Sequence, residues 1–215
     1  MAGRFLLFGL GVNGLGGVLS IRRKTSSRVR SLPIRKFNFP FLAAHPNYIR
    51  ILGRILLAYG ELEVDLMNAV ATAQDMNIAI KVMYRMRGES QRIQVADGLA
   101  REVFKGHGLE TVFSEAIGDM AYATSIRNQY AHCSWDKTGK KISFVDIEAV
   151  AQSNGLADKT PIVRRTVTLQ LLKQQESFFA YVQSCLCYLK DELRRRKGEV
   201  VETPWPKPGR PGSRG

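Results

Sequence analysis

The chain has 215 residues, 45% of them hydrophobic, which is enough core for one domain with tails or at most two small ones. Its net charge of +13 suggests nucleic acid, but the charge is uneven: residues 1–60 hold ten Lys/Arg and no Asp/Glu, and residues 190–215 hold eight basic and four acidic residues. The middle, 61–189, is left with 14 basic against 15 acidic residues, which excludes a uniformly basic body, so RNA affinity is expected from the ends or from local Lys/Arg clusters.

Residues 1–45 read as a basic, Gly-rich leader outside the fold, disordered or the product of a start codon placed too early. The apolar stretch Phe5 to Val12 precedes the basic cluster Arg22-Arg23-Lys24, the reverse of a secretion signal. The domain is expected over 46–197. Asn47 is the expected N-cap of a long amphipathic helix over 48–72, with Ile51, Leu52, Ile55, Leu56, Tyr59, Leu62, Leu66 and Val70 at helical spacing. Gly60 inside that helix suggests a close approach to a neighbour. Asp75 opens a second helix running to Met86, with Ile78, Val82 and Met86 on one stripe. Ser90 caps a third that turns Ile93, Ala96, Leu99, Ala100, Val103 and Phe104 inward, and Gly106-His107-Gly108 breaks it. A fourth helix is expected over about 109–132.

The period then changes. Lys141 to Ile147 alternates like a strand, and Ile162 to Val167 is β-branched enough to pair with it. Turn signals at Asn154-Gly155 and Ala157-Asp158 lie between them. Thr168 caps a last helix over 169–196, with Arg194, Arg195 and Arg196 at its C-terminal end. From 198 the chain is rich in Pro and Gly and reads as a disordered tail. The expected fold is mostly all-α: an up-and-down bundle of about five helices with a small β-hairpin inserted before the last.

Chemistry-bearing residues are few. The three cysteines, Cys133, Cys185 and Cys187, are odd in number and lack metal spacing, which suits a reducing, cytoplasmic compartment. No apolar run reaches the roughly 18–20 residues of a membrane helix, so no membrane contact is expected. The histidine and cysteine spacing gives no metal motif, and no phosphate loop or nucleophile elbow is found, so neither metal nor cofactor is expected. What stands out is Arg127-Asn128-Gln129-Tyr130-Ala131-His132 at the end of the fourth helix. A fixed cation and a group that titrates near neutral pH are the minimal equipment for cleaving RNA without metal. On a straight helix five residues turn about 500°, which points Arg127 and His132 about 140° apart. One phosphate can meet both only if the last turn loosens, or if two subunits meet across a two-fold axis. Asn128 and His132 are four apart and share a face. Tyr130 and Trp135 are candidates for base stacking, with core packing as the plainer alternative.

The stretch from Ile126 to Trp135 resembles the signature of HEPN domains (higher eukaryotes and prokaryotes nucleotide-binding), in which Arg and a following polar residue, often Asn, precede a His by four to six intervening residues. Here the gap is four and the polar residue is Asn128. Tyr59-Gly60-Glu61-Leu62-Glu63 resembles the first helix of small bacterial HEPN-like proteins. The resemblance covers roughly 47–197. It implies a helical bundle, commonly a homodimer, and a metal-independent endoribonuclease of the toxin or phage-defence kind, with RNA as substrate and an antitoxin or other protein as partner. It also implies roles: His132 as general base or acid at the ribose 2′-hydroxyl or the leaving 5′-oxygen, Arg127 on the scissile phosphate, Asn128 as their support. The products would carry a 2′,3′-cyclic phosphate, and DNA would not be cut. The alternative is a non-catalytic HEPN-like module that binds a protein, nucleotide or RNA, since some members keep the fold without cleaving. The basic leader and the hairpin have no counterpart in the resemblance.

Overall fold

The computed structural model describes residues 44–138, 141–147, 151, 164–200, 202 and 206–211. The expected leader falls outside the described residues except for 44 and 45, and the turn signals at 154–155 and 157–158 fall outside them altogether. Five helices of eight residues or more are found among the described residues: α1 (Pro46–Ala73), α2 (Met76–Met83), α3 (Glu89–Gly106), α4 (Glu110–Ala131) and α5 (Leu169–Arg196). Among the described residues between α4 and α5 are three strands, β1 (Cys133–Thr138), β2 (Lys141–Asp146) and β3 (Arg164–Val167). The molecule is therefore the expected mostly helical bundle with a β insert before its last helix.

Helix α1 is the centre of the bundle. It packs most extensively along α5 and also touches α2, α3 and α4. Its Ile55, Leu62, Leu66 and Val70 are almost fully buried, as the spacing predicts. Leu56, expected inward, is 37% exposed because it falls beside the apolar stripe rather than on it. Gly60 is exposed, and a Cβ placed there would meet nothing within 4 Å, so it marks no close helix contact. The Phe104 and Phe113 rings stack at 4.4 Å and join α3 to α4. On α5, Leu172, Phe179, Val182, Leu186, Leu189 and Leu193 face the core.

The helix ends divide into those the caps fix and those they do not. Asp75 Oδ1 accepts the N–H groups of Asn77 and Ile78, and Thr168 Oγ1 accepts that of Leu171, so both expected caps form. Asn47 and Ser90 are not caps. α1 starts two residues earlier than expected, at Pro46, where a missing N–H costs nothing, and α3 starts at Glu89 after Gly88. Helix α2 ends at Met83, and its inward residues are Ala79 and Met83, while Ile78 is 46% exposed. At Gly108, φ is +68°, a conformation glycine adopts at little cost; it reverses the chain from α3 into α4, under the Arg196 guanidinium that donates to His107 O.

The insert is larger than a hairpin. β2 pairs with β3 as expected (Ile142 opposite Val167), but β1 adds a third antiparallel strand in the order β1-β2-β3. β1 starts directly after α4 and sets Trp135 opposite Phe144. Tyr130 from α4, Trp135 and Phe144 form an aromatic cluster with ring separations of 5.6–5.8 Å, which ties the sheet to the end of α4. No helix among the described residues is long and apolar enough to cross a membrane.

Candidate functional site

The site is built around the C-terminal end of α4. Arg127 points between the start of α3 and the middle of α1. Its Nη1 lies 2.9 Å from Glu89 Oε1 and donates to Asn128 Oδ1 at 2.8 Å. The guanidinium carbon sits 5.6 Å from the centroid of the Tyr59 ring, within cation–π range. Glu89 occupies the first turn of α3, where the helix dipole also favours its charge. Tyr59 is held in turn by Thr124, at 3.0 Å between the hydroxyls, and burial pushes its phenol up to about 12. The Arg127 and Glu89 side chains are 28% and 20% exposed, so the pair is largely but not wholly removed from water. Among the described residues, Arg127 Nε and Nη2 have no hydrogen-bond partner.

His132 lies just past the helix. With φ −115° and ψ 10° it has left helical geometry, and its N–H donates to Asn128 O at 3.0 Å. The residue is exposed, and its side chain makes no hydrogen bond or ion pair among the described residues. The last turn up to Ala131 is regular helix, closed by the His132 N–H bond to Asn128 O, and only His132 itself departs from it. Of the pair, the Asn128 side chain contacts Arg127. The Asn128 backbone carbonyl holds His132, so the side chain does not orient the imidazole. No hydrogen bond joins Arg127 to His132.

Tyr130 is 4% exposed. Its hydroxyl donates to Gln175 Oε1 at 2.6 Å, its ring packs against Trp135 and Phe144, and burial pushes its phenol up to about 12. That placement makes it a core residue and leaves Trp135, half-buried, as the aromatic side chain of the motif nearer to solvent. Cys133 Sγ donates weakly to Tyr130 O at 3.5 Å. No group of three or more His, Cys, Asp or Glu side chains is placed to hold a metal ion among the described residues.

Sequence reasoning identified Arg127, Asn128 and His132 but not Glu89, whose only signal is an acidic residue beside a helix start. Tyr59 was legible as a core residue and not as the ring under Arg127. Against protein-family models, curated proteins and solved structures, the chain has no match.

Proposed function

We propose that the protein is a HEPN-like, metal-independent endoribonuclease acting in the cytoplasm, as a toxin or phage-defence component. The observation that carries this reading is the state of His132: exposed, unpaired, and released from helical geometry one residue beyond α4, with Asn128 joining it to Arg127. In this reading His132 takes the proton of the ribose 2′-hydroxyl or returns one to the leaving 5′-oxygen. Arg127 neutralises the scissile phosphate through its free Nε and Nη2 edge, with Glu89 and Asn128 fixing the guanidinium plane. The half-buried Trp135 offers a ring to a base beside the cut. The site is completed across a homodimer axis, which supplies the His132 of one copy to the Arg127 of the other. An antitoxin or other protein partner restrains the activity.

The experiment is incubation of purified protein with RNA in EDTA. Wild type is expected to cleave, and His132→Ala and Arg127→Ala each to lose at least about 100-fold, the usual range for a general acid–base group, with native circular dichroism. Undiminished cleavage by His132→Ala would remove histidine from the mechanism.

A second reading has its own support. Glu89 and the Tyr59 ring engage the Arg127 cation, as expected of a structural residue in a non-catalytic binding module. It predicts no turnover on any RNA and a loss of stability on substitution of Arg127.

A further inference from the structure

The Pro/Gly-rich segment after α5 returns to the bundle. Arg210 Nη2 lies 2.7 Å from Asp119 Oδ1, and Asp119 is a buried carboxylate on α4, with only 6% of its side chain exposed. Such a group is costly to bury without a partner. Glu115, one turn earlier on α4, and Tyr181 of α5 are the other titratable groups that act on it, and burial raises its pKa while Arg210 lowers it. The neighbouring surface is aromatic. Tyr122, 56% exposed, meets Phe178 edge-on at 5.2 Å, and Phe178 lies 6.1 Å from Tyr181.

Three independent positions give the direction of the segment. Lys207 acts on Cys185, Arg210 on Asp119 and Tyr181, and Pro211 lines an open cavity of about 470 Å³ with Gln174, Ser177 and Phe178. The numbers rise along the tail as they fall along α5, so the segment runs back antiparallel to the helix. The reach is sufficient. From Arg196 back to Phe178 is roughly 27 Å of helix at 1.5 Å per residue, while the residues from Lys197 to Arg210 span up to about 43 Å extended. Pro206, Pro208 and Pro211 each fix φ, which leaves less backbone entropy to lose on docking, the same economy that aromatic grooves use to bind Pro-rich peptides.

We infer that the α4–α5 face formed by Asp119, Tyr122, Phe178 and Tyr181 is a binding site for an extended Arg-Pro peptide segment, and that the chain's own residues 206–211 occupy it reversibly in cis. The buried carboxylate reads the arginine, and the rings receive the prolines. The site lies on a different face from the Arg127 pocket and does not depend on the proposed ribonuclease activity.

The test uses the full-length chain and a fluorescent peptide of residues 202–215. Tethering in one chain gives the cis segment an effective concentration on the order of millimolar, so the intact tail competes strongly with added peptide. Arg210→Ala in the protein should free the site and tighten peptide binding by about tenfold or more. In that background, Asp119→Asn and, separately, Tyr122→Ala should each weaken binding at least fivefold. A peptide in which the residue equivalent to Arg210 is Ala should fail to bind the Arg210→Ala protein, a result independent of how the protein variants fold. Equal affinity for wild type and Arg210→Ala, no saturable binding to Arg210→Ala, or indifference to the peptide's arginine would each overturn the assignment.

Discussion

At Arg127 two roles compete for one guanidinium. The Glu89 pair is neither a fully exposed ion pair, worth about 0–1 kcal/mol, nor a fully buried one, whose rupture costs about 3–5 kcal/mol. With both side chains less than a third exposed, Arg127→Ala should destabilise the fold by about 1–3 kcal/mol in urea unfolding, and a double-mutant cycle with Glu89→Ala should show coupling above about 0.5 kcal/mol. Arg127→Lys separates the two roles. Its ammonium can still meet Glu89 but lacks the planar fork, so stability should be mostly kept while RNA cleavage falls. A variant that keeps both would assign Arg127 no specific chemistry. Asp65, on the α1 face toward α5, gives a prediction in pH. Burial raises its pKa above the ordinary 3.8, against a hydrogen bond from Gln183 Nε2 at 2.9 Å. Between the unfolded and the raised folded value the folded state holds more protons, so this residue's contribution to stability is present at low pH and is lost as pH rises through the window. Asp65→Asn keeps the acceptor without the charge, so its stability relative to wild type should improve from pH 4 to pH 7. No change in that difference with pH would contradict the assignment.

The elements that were legible were those with strong local signals. The five-helix order, the caps at Asp75 and Thr168 and the β2–β3 pairing all follow from periodicity and capping chemistry. Strand β1 was not legible, because α4 ends without Gly or Pro and passes into Cys133-Ser134-Trp135-Asp136 within one residue. What makes that stretch a strand is tertiary: pairing with β2, and Trp135 seated on Tyr130 and Phe144. The inward face of α2 was misplaced for a related reason. In eight residues, Ile78 and Ile80 outweigh Ala79 in hydropathy, yet it is Ala79 that allows close approach to the bundle. The α4–sheet junction can be tested directly. Phe144 is 3% exposed, so Phe144→Ala should cost about 3–5 kcal/mol, and Asp75→Ala about 1 kcal/mol. If Phe144→Ala cost less than 1 kcal/mol, the sheet would not be an integral part of the bundle.

For the whole molecule, the charge pattern and the site lead to one picture. The middle of the chain is nearly neutral, so the candidate site stands on a few placed groups rather than on a broad basic surface. The sequence identified Arg127 and His132 and the angular difficulty between them; the structure supplied the position of His132 at the helix cap, the Asn128 contact to Arg127 and the Glu89 clamp. The pairing of Arg210 with Asp119 was hidden because Pro/Gly composition signals the lack of a core of its own, and says nothing about a groove elsewhere. The most direct measurement is the 3′-end chemistry of RNA fragments produced in EDTA by wild type and by His132→Ala. The account predicts 2′,3′-cyclic phosphate ends from wild type and no fragments from the variant. Ends bearing 3′-hydroxyls, or the same fragments from both proteins, would contradict it.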